Sequence, residues 1–70
     1  MRHALFLGGP AHGRIAGVEE DQPVVYWPNQ DGTFSLYPKA ALTHPGYPDH
    51  LLFVLAKNDP AEAILAFPTA

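Results

Sequence analysis

Between Leu5 and Val18 the chain reads LFLGGPAHGRIAGV, with Gly8, Gly9, Pro10 and Gly13 set between two short apolar runs. Glycine supplies positive φ, and proline fixes φ at about −65°. The segment therefore turns the chain and joins two short strands, His3–Leu7 and Arg14–Val18. Gly8 and Gly13 have the glycine spacing of a phosphate-binding loop. That loop continues with Lys and Ser/Thr, and opens a helix. Here Arg14 and Ile15 follow, and Ile15 cannot ligate magnesium. Pro10 likewise stands where a dinucleotide fingerprint needs its second glycine. The segment reads as a turn, with His12 exposed at its tip.

The rest of the chain is divided in the same way. Val24–Trp27 is β-branched and aromatic, as strands prefer. Pro28-Asn29-Gln30-Asp31-Gly32 is a turn, and Asp-Gly is a strong hairpin signal. In the next strand, Thr33–Tyr37, Phe34 and Leu36 share one face while Thr33, Ser35 and Tyr37 share the other, the pattern of a half-buried strand. Lys39–Leu42 is expected to form one helical turn, and residues 43–49 an extended loop. His50–Ala56 is the most apolar run and does not alternate. Such a run fits a strand covered on both faces, by the domain itself or by a partner. Asp59-Pro60-Ala61-Glu62 has an N-cap residue, a proline at the first helical position and an acid three residues after the cap. It opens a short helix within residues 59–67 whose buried stripe is Ala61, Ile64 and Leu65. The expected fold is α+β, one domain over 1–70. Four or five strands over 3–57 form an antiparallel sheet or a partly open SH3-like barrel, closed by the helix.

A chain of 70 residues buries only about 60% of the surface it exposes when unfolded. Yet 47% of its residues are hydrophobic, which is generous for so small a core. Some of that apolar surface is expected outside, where contact with a partner is the usual reason for it. The chain has no cysteine, so disulfides, thiolate metal sites and a cysteine nucleophile are excluded. Its net charge is −3, with four fixed cations, Arg2, Arg14, Lys39 and Lys57. This argues against nucleic acid as a partner. The first apolar run is too short for a signal-peptide core, and no segment has the roughly 20 apolar residues of a membrane span.

Little catalytic chemistry is on offer. Ser35 is the only serine and is expected on a strand, not on the sharp turn of a nucleophile elbow. Glu19, Glu20 and Asp21 are neighbours in one loop, whereas an acid–base pair must face across a cleft. His44, Asp49 and His50 flank one loop and could form a metal site. The competing reading is that these are solvated loop histidines. The chain is expected to be non-enzymatic, with no cofactor and no metal.

The aromatics say more. Tyr26, Trp27, Tyr37 and Tyr47 crowd the hairpin and the loop after it, and tyrosine and tryptophan are enriched in binding hot spots. These four and His12 are the expected partner-binding residues. The apolar Leu51–Ala56 strand is a further expected contact, and if bare it allows self-association.

Two resemblances follow from these segments. The first rests on LFLGGPAHGRIAGV and LLFVLAKNDPAEAIL. They resemble small proteins of tailed bacteriophages and their bacterial hosts, which have a strand, Gly-Gly-Pro-x-x-Gly-Arg, a second strand, and a final Ser/Asp-Pro-x-Glu-Ala helix. The likeness covers both ends of the chain and leaves the middle unmatched. His12 stands where those proteins commonly have an acid. They have no assigned activity, so the resemblance implies phage origin. The second rests on GRIAGVEEDQPVVYWPNQDGTFSLYPKAAL, which is similar to the strand plan of SH3-like barrels. That resemblance implies binding of peptides or proteins through an aromatic groove.

The function expected from all this is protein binding by a phage-type accessory protein, as a virion component on the capsid or another particle protein. The alternative is an inhibitor of a host enzyme or defence complex, such as transcription machinery, acting in the host cytoplasm. A third reading is a metal-assisted enzyme built on His44, Asp49 and His50.

Overall fold

A computed structural model describes residues 1–67. The elements run in the order β1 (Arg2–Leu7), β2 (Ile15–Val18), β3 (Val24–Pro28), β4 (Phe34–Pro38), β5 (Leu51–Val54) and α1 (Pro60–Ala66). They form two sheets and one short helix in an α+β fold. One sheet has the order β2-β1-β5, and the other is the β3–β4 hairpin.

The central position of β1 follows from its composition. Ala4, Leu5, Phe6 and Leu7 are all fully buried, as are or nearly are Leu52, Phe53 and Val54 of β5. Strands apolar on both sides need cover on both faces, and this chain supplies it. On one face, Ala4, Phe6 and Phe53 pack with Ala11, Val18 and Tyr37, with Val25 and Trp27 of the hairpin against them. On the other, Leu5, Leu7, Leu52 and Val54 pack under Tyr47 and under Ala63, Ile64 and Phe67 at the helix. The layers are therefore hairpin, sheet, and helix with loop.

The first face is aromatic at its centre. The Phe6 ring lies 5.4 Å from Tyr37 edge-on, 5.5 Å from Trp27 and 5.5 Å from a stacked Phe53, centroid to centroid. Such pairs contribute about 0.5–1.5 kcal/mol each beyond the area they bury.

The expected α+β fold is observed, with five strands and a short C-terminal helix, and four of its details are corrected. First, β1 and β2 are antiparallel, but β1 and β5 are parallel, in register from Ala4–Leu51 to Leu7–Val54. The long connection through the hairpin gives the chain length enough for this crossover. The two sheets meet through the Lys39–Phe53 bridge and close no barrel. Second, that bridge, together with an Ala40 N–H donated to the Leu52 carbonyl (2.8 Å), uses Lys39–Leu42 as an extended link, so no helical turn forms there. Third, Leu51–Ala56 is not a bare strand. The domain covers both faces of Leu52–Val54, while Leu55 is half-buried and Ala56 exposed beside the hairpin. Fourth, α1 turns Ala63 and Ile64 inward and leaves Leu65 82% exposed, with Ala61 also outside. The half-buried stripe runs Ala63–Ile64–Phe67. Asp59 occupies the N-cap position without a side-chain capping bond.

Candidate functional site

The hairpin register decides which side chains share a face. The Asn29 N–H donates to the Thr33 carbonyl (2.8 Å), and Gly32 turns the chain at φ +86°. The Asp31 carboxylate accepts from the Thr33 hydroxyl (2.6 Å) and the Thr33 N–H (3.1 Å). These bonds hold its pKa below the usual aspartate value, the side-chain bond contributing most. With the turn fixed, Tyr26 stands opposite Leu36, Pro28 opposite Phe34 and Val24 opposite Pro38.

Successive strand residues point to opposite faces, so these six residues form one surface. It faces away from the core. Tyr26 and Phe34 are each 59% exposed and Leu36 44%. All six are apolar or aromatic, and none carries a charge. At one side the surface drops into a groove of about 400 Å³ lined by Asn29, Phe34, Ser35, Leu36, Leu55, Ala56 and Lys57. The floor is tied to the main sheet by the Ala56 N–H, which donates to the Leu36 carbonyl (3.0 Å). A contiguous apolar patch of this kind is a candidate interaction surface.

Of the expected partner-binding residues, Tyr26 alone lies on this surface. Trp27 faces the opposite way, half-buried against Phe6. Tyr37 is fully buried. Its hydroxyl donates to the Gly8 carbonyl (2.6 Å) and accepts from the Ala11 N–H (3.0 Å). It is a core residue that pins the β1–β2 turn. Gly9 lies so close to it, at φ +61°, that a Cβ there would stand 2.9 Å from the Tyr37 oxygen. Phe34 and Leu36, on the apolar side of an alternating strand, are outside, and Ser35 and Tyr37 are inside. Alternation along β4 therefore pointed to the wrong face, because its more apolar set, Phe34 and Leu36, is the one left outside. The signal that could have told the faces apart is the phenol of Tyr37, which finds buried partners only on the inner side.

Tyr47 and His12 lie elsewhere, on the helix side of the sheet. Both rings approach Phe67, at 6.2 and 5.2 Å between centroids. His12 is exposed at the turn, as expected, and its Nδ1 accepts the Gly8 N–H (2.9 Å). The five residues thus divide among three places.

His44, Asp49 and His50 do not assemble into a site. His44 is 2% exposed, buried rather than solvated. Its Nδ1 accepts the Gly46 N–H (3.0 Å), which leaves the proton on Nε2 to donate to the Phe67 carbonyl. Neither nitrogen is free to ligate. Among the described residues no three His, Asp or Glu side chains converge as metal ligands. Ser35 exchanges hydrogen bonds with the Asn29 side chain and faces no base.

No helix of the described residues is long and apolar enough to cross a membrane. Compared with known proteins, the chain matches no protein-family model, no curated protein and no solved structure.

Proposed function

We propose that this chain is a non-enzymatic, phage-type accessory protein that acts by binding another protein through the outward face of β3–β4, and that its partner belongs to the phage particle. The observation that carries the reading is the apolar face itself. Six uncharged side chains face outward from a hairpin whose other side already fills the core. Leaving aromatic rings in water gains nothing for folding, whereas covering them by a partner is favourable by about 25 cal/mol per Å². The particle as the partner's location rests on the resemblance of both chain ends to phage proteins.

The test compares the chain with a variant that leaves its core intact. Tyr26, Phe34 and Leu36 are replaced together by threonine, which suits an exposed strand. Tagged forms of both are recovered from infected cells, and the co-purifying proteins are quantified beside those of purified virions. The expected result is a capsid or tail protein held by the parent chain and lost from the variant, with the chain itself present in virions at high copy. A single host enzyme recovered in near-equal amount, with the chain absent from virions, would replace this reading with a host inhibitor.

A further inference from the structure

We propose that the occupant of the hairpin face is a short linear segment of the partner, with apolar side chains seated between Phe34, Leu36 and Leu55 and an acidic residue against Lys57. This rests on the protein-binding reading above and names what that surface takes.

Three observations select the occupant. The first is size. Two strands of five residues span about 17 Å by roughly 10 Å, at ~3.4 Å per residue and ~4.8 Å between strands. That is well short of the roughly 800 Å² each partner contributes to a standard interface. A second copy of the chain would not be held stably by this face alone, but a single extended segment fits it.

The second is the blunted edge of β3. Leu36 turns its carbonyl away from β3 to reach Ala56. Tyr26, directly opposite, turns its own amide groups to the free edge. On that edge Pro28 offers no N–H, and the Val24 carbonyl already accepts from the Gln22 side chain (3.1 Å). Only Tyr26 keeps both its N–H and its carbonyl there, so an added strand would find an interrupted ladder. The segment must be held by side-chain contact on the face.

The third is charge. The chain is net −3, yet the only charged residue lining the groove is the cation Lys57. Among the described residues Lys57 forms no ion pair, while Arg2 pairs with Glu20. The depression on the far side of Lys57 is lined by Asp59 and Glu62 with no apolar side chain larger than alanine. Lys57 thus separates an acidic, polar surface from an apolar groove free of carboxylates. A segment that is apolar and then acidic complements the groove and is repelled by the far side.

Random short peptides selected on the immobilised full chain provide the probe. Enriched peptides are then titrated against the parent chain, the Tyr26→Thr/Phe34→Thr/Leu36→Thr variant and Lys57→Glu. The inference expects peptides combining apolar and acidic residues, lost on the triple variant and weakened about tenfold by Lys57→Glu. Peptides lost on the triple variant but indifferent to Lys57→Glu would overturn the acidic segment and leave the hairpin face standing. A concentration-dependent dimer in sedimentation, abolished by the triple variant, would overturn it in favour of a second copy. No enriched peptide at all would also overturn it, while the recovery experiment above decides separately whether the face binds a protein.

Discussion

The two faces of the β3–β4 hairpin differ less in composition than in what their polar atoms reach. The inner face presents Val25, Trp27, Ser35 and Tyr37, and the outer face Val24, Tyr26, Pro28, Phe34, Leu36 and Pro38. By apolar character alone the outer set is the better core. The inner set wins because Tyr37 brings a hydroxyl that closes two hydrogen bonds on the β1–β2 turn. Trp27 meanwhile completes the aromatic group around Phe6. A buried polar group must find partners, and only one orientation of the hairpin provides them. The loser is a sheet face of apolar side chains left in water. Burial here is set by specific satisfaction and ring packing, and the surplus apolar surface is left outside.

The comparison can be broken at several points. The largest effect belongs to Phe6→Ala, at the centre of the inner packing. It should destabilise the fold by about 3–5 kcal/mol, measured by chemical denaturation. A much smaller loss would mean that the hairpin does not pack on β1. Tyr37→Phe comes next. It keeps the ring but strands the Gly8 carbonyl and the Ala11 N–H, for an expected loss of about 1–3 kcal/mol. Amide exchange at Ala11 should quicken markedly. Unchanged exchange there would show that the phenol does not hold the turn.

The smallest effect is at Asp31. Its pKa is lower in the fold than in the unfolded chain, so ionisation favours the fold. That contribution is fully present above the unfolded value and is lost as pH falls through the lower, folded value. Asp31→Asn should therefore lower stability slightly at neutral pH, and the difference from the parent should vanish in acid. A difference that persists at low pH would assign it to the turn's backbone conformation instead of the carboxylate. A side-chain NMR titration reads the shift directly.

Much of this is legible in the sequence. The glycine–proline segment turns β1 into β2, Asp31-Gly32 closes the hairpin, and Pro60 opens the helix, each because one residue type suits the local backbone. The non-alternating run His50–Ala56 announced a strand covered on both faces, as Leu52–Val54 is, but not its parallel pairing to β1. What was not legible depends on contacts distant in sequence. Tyr37 reaches Gly8 and Ala11, and no local pattern in Thr33–Tyr37 reveals it. His44 reads as a loop residue until its ring is found under Tyr47 and Phe67. Leu65 and Ile64 are adjacent in a short helix, and only the sheet beneath chooses between them. The exposed apolar face of the hairpin was half seen, through Tyr26. Phe34 and Leu36 were missed because apolar residues on an alternating strand are ordinarily the buried ones.

The central claim is that Tyr26, Phe34 and Leu36 serve a partner and not the fold. It is tested most directly by measuring, on the same Tyr26→Thr/Phe34→Thr/Leu36→Thr variant, the free energy of unfolding and the recovery of the partner. The account predicts unfolding within about 1.5 kcal/mol of the parent, at about 0.5 kcal/mol for each surface position, with the partner lost. A drop of about 3 kcal/mol or more, as for a core truncation, or undiminished recovery of the partner, would contradict it.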